Sequence, residues 1–206
     1  MFSALRKSFV YTCYGCLALG GAQAFGATPT VQGQSGYINM PSASVEADGT
    51  FSMGYGYDSP YGAFWASATM LPFLQMTGRY VAISGISGFN DPTRAATYGR
   101  YKDKVVDTKL RLWEEGTWLP SVAFGMTDLL GTELFKGKYL VATKTFGVRR
   151  NLEASVGYGR KRPDGLFAGV RWTPQNLPNW SLVAEYDAND YPKDFQAKST
   201  FAGQRS

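Results

Sequence analysis

From Thr50 onward the chain consists of short segments in which apolar residues alternate with small or polar ones, separated by turn residues. Phe51, Met53, Tyr55 and Tyr57 alternate with Ser52, Gly54, Gly56 and Asp58. Successive side chains of a strand point to opposite faces, so this period of two predicts strands with one apolar and one polar face. The series continues through Ala63 to Met70, Leu74 to Ile83, Lys104 to Glu115, Ser121 to Leu129, Lys138 to Phe146, Leu152 to Arg160, Leu166 to Trp172 and Trp180 to Tyr186. Turn residues stand between them, with Ser59-Pro60-Tyr61-Gly62 and Pro163-Asp164-Gly165 the strongest hairpin signals. No stretch beyond the N-terminal leader has a helical period. The pattern predicts an all-β fold, an antiparallel up-and-down transmembrane β-barrel of about eight to ten strands, whole or incomplete.

Strand parity places the charges. Arg79 lies with Gln75 and Thr77, opposite Met76 and Tyr80. Asp107, Lys109, Arg111 and Glu115 share one face, and Thr108, Leu110 and Leu112 the other. Glu153 lies with Ser155, Gly157 and Gly159, Arg171 with Gly169, and Glu185 with Ser181. A barrel demands this segregation, because an Arg or Lys facing lipid at mid-bilayer costs roughly 2–4 kcal/mol. These eight charged residues are therefore expected to face the lumen. The apolar face carries Tyr55, Tyr57, Tyr80, Trp113, Trp118, Tyr139, Tyr158, Trp172, Trp180 and Tyr186 near strand ends, where aromatic girdles sit. The alternation also fits a soluble periplasmic β-sandwich that binds carbohydrate on exposed aromatics such as Trp65, Trp113 and Trp118. The longest connections, Ser84 to Asp103 above all, fall at one end of the strands and mostly short turns at the other, as in outer-membrane barrels.

Composition narrows the chemistry. The chain is 44% hydrophobic and only 18% charged, with 24 glycines and a mean hydropathy of −0.22, as alternating membrane strands average out to give. There is no histidine, and both cysteines, Cys13 and Cys16, lie in the first twenty residues. Ser–His–Asp and Cys–His catalysis and His-based zinc sites have no residues to draw on. A paired-carboxylate glycosidase fails on geometry: Glu114 and Glu115 point to opposite faces, and Asp107 and Glu115 stand about 26 Å apart along a strand. The protein is expected not to be an enzyme, and to need no cofactor or metal.

Arg6 and Lys7, the apolar run Phe9 to Leu19 and Ala22-Gln23-Ala24 read as a cleavable secretory signal over 1–24. A lipoprotein reading instead places the modified cysteine at Cys16, after Gly15. Removal of Arg6 and Lys7 lowers the formal charge from +5 to +3, too small an excess to point to nucleic acid. The mature chain then divides into an N-terminal segment leading into the first strand, 25–49, a β-barrel domain, 50–187, and a polar C-terminal tail, 188–206. The basic turns Arg149-Arg150 and Arg160-Lys161-Arg162 read as solvated loops or as contacts to acidic lipid or polysaccharide groups, and Gly54-Tyr55-Gly56 and Gly157-Tyr158-Gly159 as glycines that ease curvature or close packing.

Three stretches carry a family resemblance. Gly36 to Ala43, with Pro41 in it, precedes Asp48-Gly49-Thr50. Tyr101-Lys102-Asp103-Lys104 runs into Asp107 to Leu112 and Glu114-Glu115. Leu119-Pro120 leads through Phe124-Gly125, Asp128 and Gly131-Thr132 to Tyr139 to Lys144. With these the chain resembles the YjbH-like family of outer-membrane proteins linked to exopolysaccharide production, and Gly36, Pro41, Gly49, Lys104, Asp128, Gly131 and Tyr139 stand at its motif positions. The resemblance implies an outer-membrane barrel in contact with lipid, exopolysaccharide and other envelope proteins of the same pathway, in a structural or accessory role. Family members run longer than this chain, which implies a truncated, split or short form.

Overall fold

The structure is a computed structural model that describes residues 10–12, 27–58, 60–87, 99–147 and 151–189. Nine strands follow one another: β2 (Phe51–Asp58), β3 (Tyr61–Leu71), β4 (Leu74–Ser87), β5 (Arg100–Trp113), β6 (Ser121–Gly131), β7 (Gly137–Phe146), β8 (Leu152–Arg160), β9 (Gly165–Trp172) and β10 (Leu182–Tyr186). Each pairs antiparallel with the next, and the three-residue β1 (Val10–Thr12) pairs with β10, so one sheet runs β1-β10-β9 and on down to β2. Period-two alternation located all nine longer strands. It misplaced some ends: β5 stops at Trp113, where a bulge breaks its register with β6, so Glu115 lies beyond the strand. β10 starts at Leu182 because two successive tight turns, Leu177 onto Pro174 and Trp180 onto Leu177, occupy the residues before it.

The sheet is strongly curved, and one short path proves it. A Cβ on Gly56 of β2 would stand 2.0 Å from the Val31 carbonyl oxygen. The Val31 amide donates to the Ile38 carbonyl at 2.8 Å. The Ile38 amide donates to Glu185 of β10 at 2.9 Å. In a flat sheet, β2 and β10 would lie about 38 Å apart at the usual strand spacing. Residues 27–46 therefore fill a trough formed by the curled sheet. The expected barrel is corrected in one respect: among the described residues no ladder joins β2 to β10 or β1, so the hydrogen-bonded sheet is open. The edge strands β1 and β2 have three and eight residues, and the concave space between them is occupied by chain.

Polarity is inverted relative to a water-soluble fold. Among the described residues 19 polar or charged side chains are buried against 17 apolar ones, while 25 large hydrophobic side chains are exposed. The buried apolar residues form two clusters. Met40, Ala43, Ala123, Tyr139, Val141, Phe167 and Ala188 make one. Tyr61, Ala63, Val81, Ile83, Val105 and Phe135 make the other, at the end of the sheet where β6 turns into β7. Connection lengths do not mark one end as outside. The 12-residue link between β4 and β5 is balanced by links of seven and nine residues, before β6 and before β10, at the other end.

Candidate functional site

The site is the concave face of the sheet and the segment it holds. Residues 30–43 have no strand of their own, only two isolated bridges, Pro29 with Ser35 and Gly36 with Pro41. Their buried backbone groups must find partners elsewhere. The inward strand positions supply them.

On β10, the Glu185 carboxylate accepts the amides of Ile38 at 2.9 Å, Asn39 at 2.9 and 3.0 Å, and Met40 at 3.0 Å. On β5, the fully buried Lys109 ammonium donates to the carbonyls of Ser35 at 2.7 Å, Ser42 at 3.1 Å and Ser44 at 3.0 Å. One acid thus collects three amides and one base three carbonyls of the same segment. Arg171 donates to the Gly36 carbonyl and pairs with Glu153 at 3.1 Å. Arg79 donates to Gln32 and pairs with Asp107 at 2.6 Å, both side chains 2% exposed. Thr143 accepts the Ala43 amide at 2.7 Å, Gln75 the Ser35 hydroxyl at 2.8 Å, and Gln34 the Tyr139 hydroxyl at 2.8 Å. Tyr37 shares a hydrogen bond with Ser155 at 2.7 Å. Burial first, and then the nearby Glu153, push its phenol up, so it serves as a neutral hydrogen-bonding group.

Glycines on the inward face make room for this segment. A Cβ on Gly169 would stand 2.3 Å from the Tyr37 ring, and one on Gly54 2.5 Å from Trp65, whose ring also covers Gly33. Gly169→Ala is expected to cost about 1–3 kcal/mol by overpacking. Gly78→Ala, where nothing lies within 4 Å, is expected to be neutral or slightly stabilising. Urea midpoints of the two variants check the contrast.

Six of the eight charges expected in the lumen lie together on the concave face: Arg79, Asp107, Lys109, Glu153, Arg171 and Glu185. Arg111 and Glu115 do not join them. Arg111 reaches the Pro72 carbonyl at 2.7 Å and Glu114 at the sheet's end. Glu115 accepts from the Thr145 hydroxyl at 2.8 Å and pairs with Lys144 at 3.1 Å. Burial pushes the Glu115 carboxyl up, but the Thr145 and Lys144 hydrogen bonds outweigh it and hold the group below its ordinary value. Its hold on β7 is therefore complete above the usual glutamate range, about 4.3. It is lost as pH falls through the lowered folded value. Exchange of the Thr145 amide, which donates to Glu115 at 3.2 Å, is expected to lose protection in that acid window.

The motif residues divide by role. Gly36 and Pro41 bridge within the held segment. Gly49, at φ +74, turns the chain into β2. Asp128, at φ +52, accepts the Phe135 amide at 2.9 Å and donates its own to Asp107 at 2.9 Å. Gly131 ends β6, and Lys104 points outward and is exposed. Tyr139 is 2% exposed and packs edge-on against Phe167, so it leaves the aromatic girdle in which its strand-end position had placed it. It shares the inward parity of Val141 and Thr143. Arg162 is likewise no solvated loop residue: it is buried, 5.0 Å from the Tyr61 ring and 5.2 Å from that of Phe135. Trp65 also turns inward, whereas Trp118 is 91% exposed. The interior leaves a cavity of about 30 Å³ beside Gln34 and Asn39, room for roughly one water.

A family profile described as "Exopolysaccharide biosynthesis protein YbjH" matches residues 28–165 and 160–205. The chain is 40% identical over 209 residues to "Uncharacterized lipoprotein YjbH" of Escherichia coli (strain K12), a match covering 81% of this chain and 29% of that protein. The chain thus spans less than a third of that relative's length. No solved structure matches it. Matched over both the held segment and the sheet that holds it, the chain belongs to the YjbH family of exopolysaccharide biosynthesis proteins.

Proposed function

We propose that the chain is an outer-membrane β-domain, closed into a barrel in the bilayer, with a structural or accessory role in exopolysaccharide production or export. The observation that carries the reading is the inversion of polarity. A face bearing Phe64, Leu140, Val156, Tyr158, Leu166 and Val170 in the open is suited to hydrocarbon and unfavourable in water. Unpaired strand edges are costly in lipid, which favours bringing β2 and the β10 side together there. The concave face is filled by chain, so the domain suits a scaffold better than a polysaccharide conduit. The soluble sandwich lacks support: among the described residues there is one sheet, with no second layer against which to pack its apolar face. The reading is of a non-enzymatic protein, and its partners are outer-membrane lipid, the exopolysaccharide and envelope proteins of the same pathway.

Export is proposed through the leader over 1–24, which lies outside the described residues except for Val10–Thr12. The Escherichia coli relative is described as a lipoprotein, which favours the lipoprotein alternative, with the acyl anchor at Cys16.

Membrane fractionation followed by SDS gels with and without boiling tests the proposal. An outer-membrane band that shifts on boiling is expected. A soluble periplasmic band with no shift would contradict it.

A further inference from the structure

The outward face carries cations as well as apolar residues, and their placement is uneven. Along β7 the outward positions run Lys138, Leu140, Ala142, Lys144 and Phe146. Lys144, at one end, is neutralised from within the chain: it donates to the Gly116 and Thr117 carbonyls at 2.5 and 3.1 Å and pairs with Glu115. Lys138, at the other end, has no such partner. It stands directly opposite Arg160 of β8, both are exposed, and no acid pairs with either among the described residues. Glu133 in the adjoining connection is taken by Lys136. Like charges directly opposite on neighbouring strands are destabilising in water. One step further along the same face lies the row Phe124, Leu140, Tyr158 and Leu166, in ladder register across four strands. Two residues of strand rise, about 6.7 Å, separate the cation pair from this row.

We propose that Lys138 and Arg160 form a binding site for the phosphate of an anionic lipid whose acyl chain lies along Phe124, Leu140, Tyr158 and Leu166. The inference rests on the reading that this face lies in the membrane. Two adjacent cations match one phosphate, and the apolar row beneath them matches a chain attached to that phosphate. A soluble acidic polysaccharide would use the cations and leave the row without a partner. Lys104, outward and exposed near the end of β6, adds to the positive rim but is not part of the pair.

The test folds the full chain into phosphatidylcholine vesicles with and without a minor share of phosphatidylglycerol. It then measures the lipid retained on the protein after detergent extraction. The wild type is expected to insert into both and to retain phosphatidylglycerol well above its bulk share. The Lys138→Ala/Arg160→Ala variant is expected to insert equally but to lose that excess, by about fivefold for each cation removed. Equal enrichment in wild type and variant would overturn the site and leave the membrane reading standing. Loss of polyuronate binding in the variant, with lipid enrichment unchanged, would overturn it in favour of an acidic polysaccharide. Failure of the wild type to insert into either vesicle would remove the membrane reading, and the site with it.

Discussion

Glu185→Ala is expected to detach residues 38–40 from the sheet and to lower stability by about 2–6 kcal/mol, from the two buried amides of Ile38 and Met40 at roughly 1–3 kcal/mol each. The carboxylate reaches all three amides within 3.0 Å. Glu185→Gln keeps one acceptor oxygen but turns an amino group toward backbone donors, so an intermediate loss is expected. Two readouts separate detachment from general unfolding. The urea midpoint reports the stability, and chymotrypsin cleavage at Tyr37, 5% exposed in the intact protein, reports release of the segment. Cleavage at Tyr37 should rise in Glu185→Ala while the sheet still resists. Unchanged resistance at Tyr37 would show that Glu185 does not hold the segment.

Asp107→Ala is expected to cost a further class of energy, about 3–5 kcal/mol, because it leaves the Arg79 guanidinium buried without its counter-ion. The same carboxylate accepts the Asp128 amide at 2.9 Å, so the bulge in β6 loses its tie as well. Replacing both partners, as Arg79→Met with Asp107→Leu, removes the uncompensated charge and should restore more than half of the loss. A double-mutant cycle on the denaturation midpoint measures the coupling. Additive losses would mean that the pair is screened by water rather than enclosed by residues 27–46.

The strands and their two faces were legible in the sequence because a period of two is a local property. Leu152 to Arg160 alternates without interruption, and its inward and outward residues fall where parity put them. The same rule collected Arg79, Asp107, Lys109, Glu153, Arg171 and Glu185 on one face. The occupant of that face was not legible. Residues 27–46 have no periodicity and no apolar run, and beyond a few turns and bridges of their own they are fixed by residues far along the chain, Lys109, Thr143 and Glu185 among them. One signal was present. Gly54, Gly56, Gly157 and Gly169 are too small to fill the concave side of a sheet; close packing, one of the two readings given to the first three, is what they serve, but nothing local says which residues approach them. Gly56 admits Val31, Gly157 admits Phe167, and Gly169 admits Tyr37. Tyr139 and Arg162 depart from expectation for a related reason: parity turns Tyr139 inward although it lies near a strand end, and the rings of Tyr61 and Phe135 hold Arg162 out of solvent although it lies in a turn.

The central claim is that apolar residues face lipid while the charged face is enclosed. Nitroxide labels placed singly along β8 in membranes test it most directly, in a chain whose Cys13 and Cys16 are replaced by serine. Collisions with lipid-soluble oxygen and with a water-soluble nickel complex would be compared at residues 154 to 158. High oxygen accessibility at 154, 156 and 158, with both relaxers excluded at 155 and 157, is the predicted result. Nickel accessibility at 154, 156 and 158 as high as in an open loop would contradict the account and place this face in water.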